Sequence, residues 1–205
     1  MKKIILLCLG IVLGTVAHAQ KGPREHKGFY LSMGLGPVFG PINVNTTVAK
    51  YDMSGTGALF DLKIGGAIQE NLILHATLLT SGLNGPKITG ITGESAKASD
   101  KVNVSEFLLG GGVTYYFMPV NVFVSGSAGL GKFSIDNRDM DYTASTENGF
   151  GFQIKVGKEW WVSKKWGLGV AATYGKTSVD SQPSPDLREK LNSNRFGIMF
   201  SATLN

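Results

Sequence analysis

From residue 28 onward, apolar and polar residues alternate with a period of two in segments of roughly ten residues, and no stripe of helical period interrupts them. That alternation is the signature of strands with unlike faces. It predicts eight strands, at 28–38, 57–68, 72–81, 104–117, 121–133, 149–161, 166–177 and 194–204. Three connections are tight turns: Gln69-Glu70-Asn71, Met118-Pro119-Val120 and Val162-Ser163-Lys164-Lys165. The other four, at about 39–56, 82–103, 134–148 and 178–193, are long, polar and rich in Gly, Ser, Thr, Asn and Asp. Two unlike rims and strands of this length predict an all-β fold, an eight-stranded antiparallel up-and-down transmembrane β-barrel. Its long loops are expected to be extracellular and its short turns periplasmic.

The two faces of the strands differ in a way that tests this fold. One face comprises the alternate positions that begin at Phe29, Ala58, Leu72, Phe107, Val122, Phe150, Trp166 and Phe196. About 40 such positions lie in the strand bodies; all but Gly66, Thr80, Gly111 and Gly126 are apolar and none is charged, where the overall charged content of 17% would put about seven. A soluble barrel is apolar inside and polar outside. Here the apolar face is predicted to meet lipid, where a charge at mid-depth costs about 2–4 kcal/mol. The opposite face carries Asp61, Lys63, His75, Thr77, Glu106, Ser125, Ser127, Gln153, Lys155, Glu159 and Thr173, and is predicted to be the interior. Phe29, Tyr115, Phe117, Trp160 and Trp166 gather near the short-turn rim as an interfacial aromatic girdle. Lys132, Lys158 and Lys176 share the lipid-facing parity, but at strand ends, where a long side chain snorkels to the interface.

The start of the chain follows a different logic. Lys2 and Lys3, the apolar run Ile4 to Val16, and Ala17-His18-Ala19 read as a secretory signal peptide covering residues 1–19, with the barrel domain at 20–205. The run is shorter than the roughly 20 residues of a membrane-spanning helix, which disfavours a retained anchor. Cleavage after Ala19 lowers the formal charge from +5 to +3 by removing Lys2 and Lys3. It also removes Cys8, the single cysteine, which lies inside the apolar core of the signal rather than at a lipoprotein acceptor position. Disulfide scaffolds, thiol nucleophiles and cysteine-based zinc sites are thereby excluded. The basic residues are scattered, so the pI near 9.3 does not point to nucleic acid.

The stretch Glu159-Trp160-Trp161-Val162-Ser163-Lys164-Lys165-Trp166-Gly167-Leu168-Gly169 resembles the sixth-strand, turn and seventh-strand unit of small outer-membrane barrels of the OmpA/OmpX type. The likeness in architecture spans the chain from residue 20 onward and implies a bacterial outer-membrane location. It does not extend to a peptidoglycan-binding domain. The ending Phe200-Ser201-Ala202-Thr203-Leu204-Asn205 lacks the terminal aromatic of many such proteins, although Gly197 and Phe200 keep part of that pattern. The resemblance implies insertion by the barrel-assembly machinery.

Candidate chemistry is sparse. Gly126-Ser127-Ala128-Gly129-Leu130-Gly131-Lys132-Phe133 nearly spells a phosphate-binding loop, but Phe133 stands where Ser or Thr must hold magnesium, and the segment alternates as a strand. Small inward glycines that make room for bulkier neighbours explain it better. His26 and His75 belong near the short-turn end, away from any outer-leaflet substrate, so neither catalysis nor lipid A editing is expected. Asp136, Asp139 and Asp141 lack the Gly and terminal Glu of a calcium loop. No cofactor or metal is expected.

The interior charges carry more information. Side chains fill an eight-stranded barrel, and an unpaired buried ion is expensive. Asp61, Lys63, His75, Glu106, Gln153, Lys155 and Glu159 are therefore expected to form a lumen network, with Lys63 and Lys155 bracketed by carboxylates. Such a network would seal the barrel. The alternative is a narrow pore for small or hydrophobic solutes. The loops, with the apolar residues Val38, Phe39, Pro41, Ile42, Val44 and Val48 in the first and Pro183 and Pro185 in the fourth, are the expected place of surface binding. The expected role is structural and surface-interacting, with outer-membrane lipid as the surrounding partner. Lys132 and Lys176 at the outer rim are candidate contacts for lipopolysaccharide phosphates.

Overall fold

The computed structural model describes residues 24–205, and the expected signal peptide, residues 1–19, lies outside the described residues. All regular structure among them is β, in eleven strands: β1 (Phe29–Thr46), β2 (Lys50–Gln69), β3 (Leu72–Asn84), β4 (Lys87–Gly90), β5 (Ser95–Lys97), β6 (Val102–Phe117), β7 (Val122–Asn137), β8 (Tyr142–Ser145), β9 (Gly149–Trp161), β10 (Trp166–Ser184) and β11 (Leu187–Leu204). Eight of them form a ring in the order β1, β11, β10, β9, β7, β6, β3, β2, and antiparallel pairing of β1 with β2 closes it. Every neighbouring pair is antiparallel. Closure removes the row of unpaired N–H and C=O groups that an open edge would leave in hydrocarbon.

Burial alternates along each strand with the parity expected from the sequence. Met33, Leu35, Ile64, Leu74, Leu109, Val124, Ile154, Leu168 and Phe200 are exposed on the outer wall, while Asp61, Lys63, Glu106, Lys155 and Glu159 are buried inside. The inward glycines of the phosphate-loop look-alike lie within β7, and the Thr177 side chain occupies the space beside Gly131, where an added Cβ would come within 2.4 Å.

Two long loops expected from the sequence are instead strand. β1 and β2 run through most of 39–56 and leave only residues 47–49 as a turn; β10 and β11 cover most of 178–193. The reason lies in the outward residues. Above the apolar belt they turn polar, with Asn43 donating to Asp52 (2.7 Å), Ser178 donating to Asn192 (2.7 Å) and Lys190 paired with Asp180 (3.5 Å). The inward residues Ile42, Val44, Met53, Val179 and Leu191 remain apolar and pack together. The period therefore continues while its apolar face switches sides. At about 3.3 Å per residue the 20 residues of β2 are roughly 66 Å long, or about 50 Å in projection at a tilt near 40°. That is twice a band of about 25 Å, so the barrel wall continues beyond the membrane. The other two loops hold β4 and β5, which extend the sheet from β2, and β8, which pairs with β7.

Pro37 and Pro41 sit inside β1. Its register to β2 is unbroken past both, whereas its register to β11 skips 36–37 and 40–41. Each proline lacks an N–H, and the missing bonds fall on the β11 side. Between them Gly40 (φ +143°) brings the chains so close that an added Cβ would lie 1.8 Å from the Asn194 carbonyl oxygen. The short turns use Asn71 (φ 64°) and Asn121 (φ 54°), a residue type that tolerates the left-handed region.

A charge placed on the outer wall should be penalised by depth. Ile154→Arg, midway along β9, is expected to destabilise the barrel in lipid vesicles by about 2–4 kcal/mol relative to Ile154→Ala, and Phe150→Arg, at the upper edge, by about 1 or less relative to Phe150→Ala. Reversible denaturant titration measures both; equal penalties at the two depths would contradict a lipid-facing wall.

Candidate functional site in the barrel interior

Six charged side chains point into the barrel from four strands, all nine-tenths or more buried: Asp61 and Lys63 from β2, Glu106 from β6, Lys155 and Glu159 from β9, and Arg195 from β11. Three are acids and three are bases, so the formal charge of the set is zero. Arg195 completes that balance. It is not among the expected lumen residues, although its place directly before the outward Phe196 fixes its parity as inward.

The charges do not form one network. In the lower half, the single oxygen Oδ2 of Asp61 takes both lysines, with Lys155 Nζ at 3.2 Å and Lys63 Nζ at 3.8 Å. Lys63 also donates to Ser125 Oγ (2.6 Å), which accepts from Thr114 (2.8 Å); Thr114 is 3.0 Å from His75 Nε2. His75 Nδ1 reaches Thr77, and Thr77 reaches Ser127, each at 3.0 Å. Glu106 pairs instead with Arg195 Nη2 (3.0 Å) and accepts from Ser193 (3.0 Å) in the upper half. Glu159 has hydroxyl partners rather than a lysine: Oε1 accepts from Thr203 (2.7 Å) and Tyr116 (3.2 Å), and Tyr116 is bonded in turn to Tyr30. Gln153 is buried among these groups, and its Oε1 makes no hydrogen bond. The expected bracketing of two lysines by several carboxylates is thus replaced by one carboxylate holding two lysines.

Apolar layers separate the polar groups, which the alternation alone did not reveal. Tyr30, Ile73, Tyr116, Phe123 and Ala171 pack below the Asp61 group. Val38, Leu59, Leu79, Leu108 and Met199 lie between it and Glu106–Arg195. Ile42, Val44, Met53, Leu83, Val104, Phe133, Val179 and Leu191 close the upper end. The apolar residues of the expected first loop therefore split: Val38, Ile42 and Val44 are inward and buried, whereas Phe39 and Val48 are exposed. Beside Glu106 and Arg195 remains a cavity of about 10 Å³, room for no more than one water.

The segment before β1 plugs the short-turn mouth of the barrel. His26 is fully buried, its ring stacked on Tyr116 with centroids 3.5 Å apart and 4.9 Å from Trp161. Its Nε2 lies 2.8 Å from Asn121 Oδ1, and its backbone N–H donates to Asn71 Oδ1 (3.0 Å). Asn71 and Asn121, the left-handed residues of two turns, thus anchor this segment. Burial pushes the His26 imidazole below its ordinary value of 6.5, against hydrogen bonds to Asn121 and Asn205. His26 lies at the expected end, but the plug it forms is not legible in the sequence, because its partners come from three distant turns.

The girdle residues Phe29, Tyr115, Phe117 and Trp166 are exposed on the outer wall near the short-turn rim, and Trp160 is half-buried beneath Lys158. Tyr115 and Phe117 meet edge to face at 4.9 Å. Lys132 and Lys176 are exposed on the same wall toward the other end, paired across the strands with Phe107 and Phe152. In the loops, Asp139 is held by Lys101 (2.7 Å) and Ser99 (2.9 Å), and no group of three metal-ligating side chains occurs among the described residues. An open cleft of about 620 Å³ lies at the long-loop mouth, where Thr46, Glu147, Ser181, Arg188 and Glu189 line it.

No family model matches the sequence, and no curated relative matches it either. Among solved structures, the chain is similar to Neisserial surface protein A at 13% identity and a TM-score of 0.52, covering 90% of this chain and 99% of that one. Similarity extends to AlkL (13%, TM-score 0.48, 91% and 94%) and to OprG of Pseudomonas aeruginosa (14%, TM-score 0.48, 88% and 98%). The fold is that of the small eight-stranded outer-membrane β-barrels.

Removing the shared carboxylate leaves two buried lysines without an acid. Asp61→Ala is expected to lower the unfolding free energy in vesicles by about 3–5 kcal/mol, and Lys155→Met in that background to recover part of the loss. Additive effects of the two substitutions would show that the pair is not coupled.

Proposed function

We propose that the protein is an integral outer-membrane barrel with a structural and surface-interaction role, and that its lumen conducts no solute. The observation that carries this reading is the filling of the interior. Three apolar layers alternate with two groups of paired charges, and His26, Tyr116 and Trp161 stop the periplasmic end. A hydrated ion moving through would have to displace both paired charges and packed methyl groups. The histidine with hydroxyl partners, His75, lies inside this packing, out of reach of a substrate, which supports a non-catalytic role.

The surface reading rests on the extracellular half. Strand continuation beyond the apolar belt replaces two of the expected long polar loops with a hydrogen-bonded platform, and the cleft at its mouth offers hydroxyls beside Glu147, Glu189 and Arg188 to a polar ligand. Lys132 and Lys176 suit lipopolysaccharide phosphates at the outer edge of the belt. Insertion through the barrel-assembly machinery fits the outward Phe200 near the end of β11.

Planar-bilayer recording of the purified protein tests the sealed lumen. The expected trace has no single-channel steps at any applied voltage the bilayer tolerates; steady, reproducible steps would contradict the proposal and favour a narrow pore.

A further inference from the structure

The three tryptophans of the sequence, Trp160, Trp161 and Trp166, all flank one periplasmic turn, that between β9 and β10. Lys164 and Lys165 stand in the turn itself, exposed and in no ion pair among the described residues. Two further cations border it: Lys158 lies over the Trp160 ring at 5.5 Å and Arg24 over Trp161 at 5.6 Å. The acidic side chains of this rim are elsewhere, and the only acid beside the turn among the described residues is the carboxyl end of Asn205, whose backbone N–H donates to the Lys165 carbonyl (2.9 Å). Glu25 and Glu70 both pair with Lys27, at 2.6 and 3.0 Å, on the side of the β2–β3 turn. The rim is therefore polarised, with the exposed ammonium groups of Lys164 and Lys165 set among indoles at the depth of lipid headgroups and Arg24 tied to the same turn through the Ser163 carbonyl (2.9 Å).

An apolar groove begins immediately above this turn. On the outer wall, Leu168 is the next outward residue after Trp166; it pairs with Ala202, which pairs with Met33. A depression of about 310 Å³ crosses from Leu168 over the small Ala202 between Phe200, Met33 and Leu35 to Phe60 of β2. Within the hydrocarbon belt such a groove is filled by hydrocarbon. A cationic interfacial patch at one end of a hydrocarbon-shaped groove matches a single amphiphile with an anionic head.

We propose that the β9–β10 turn and this groove together bind an anionic diacyl phospholipid of the inner leaflet, its phosphate at Lys164 and Lys165 and one acyl chain along Leu168, Ala202 and Phe200. Charge complementarity selects the lipid over a second barrel, whose own rim would bring the same positive patch. The site is distinct from the outer-rim lysines Lys132 and Lys176, which face the opposite leaflet.

The tryptophans make the test direct. The protein is reconstituted in phosphatidylcholine vesicles containing equal fractions of either brominated phosphatidylglycerol or brominated phosphatidylcholine, and quenching of tryptophan emission is compared. Wild type is expected to prefer phosphatidylglycerol by about fivefold in relative association for each lysine engaged. The variant K164Q/K165Q should lose the preference, K132Q/K176Q should keep it, and A202L, which fills the groove, should weaken it while circular dichroism stays unchanged. Equal quenching of wild type by both lipids, survival of the preference in K164Q/K165Q, or its full retention in A202L would overturn the proposal. So would disulfide-linked dimers of Ala202→Cys in phosphatidylcholine, because a second copy would then occupy the groove.

Discussion

Backbone hydrogen bonding in hydrocarbon governs everything else in this molecule. A strand that crosses a bilayer finds no water for its N–H and C=O groups, so each must pair with a neighbouring strand, and only a closed ring leaves no strand unpaired. Closure by β1 with β2 satisfies that demand. It also fixes the chemistry of the faces: lipid touches the outside, which must be apolar, and the inside is left to whatever eight strands of side chains can fill. Even the prolines obey it. Pro37 and Pro41 interrupt only the ladder to β11, and Gly36 and Gly40 beside them let that strand close in on the gap.

The interior then has a problem that the outside does not. Six buried charges are tolerable only when each is paired with an opposite charge or hydrogen-bonded. Five of them stand in two small groups, Asp61 with two lysines and Glu106 with Arg195, the sixth, Glu159, is held by the hydroxyls of Thr203 and Tyr116, and apolar layers separate them. Division has a consequence for function. A continuous polar thread through the barrel would resemble a path for ions, whereas alternating charged and apolar layers resemble a stack of plugs. Rigid plugs below and a rigid strand platform above suit a scaffold that presents a surface.

Much of this was legible in the sequence. Period-two alternation located all eight barrel strands and their inward and outward faces, since a shift by one residue would have exchanged every side chain. Inward placement of Asp61, Lys63, His75, Glu106, Gln153, Lys155 and Glu159 follows from parity alone. What stayed hidden depended on other information. The upper ends of β1, β2, β10 and β11 were missed because polar outward residues such as Asn43 and Asn192 look like loop, although Ile42 and Leu191 still keep the inward period. Which acid meets which base depends on the shear that sets neighbouring strands against one another, so the Glu106–Arg195 pair and the shared Asp61 oxygen appear only in three dimensions. The His26 plug joins residues from the chain start, two Asn-bearing turns and the end of β9, a convergence no local pattern encodes.

The central claim, that this is a barrel with its apolar surface outward, is tested most directly by removing every amphiphile. The purified chain from residue 20 onward is refolded in parallel with detergent micelles and in plain buffer, and each sample is followed by circular dichroism and size-exclusion chromatography. The account predicts a β-rich, monodisperse species with micelles and aggregation without them. A folded, monodisperse monomer in plain buffer would contradict it.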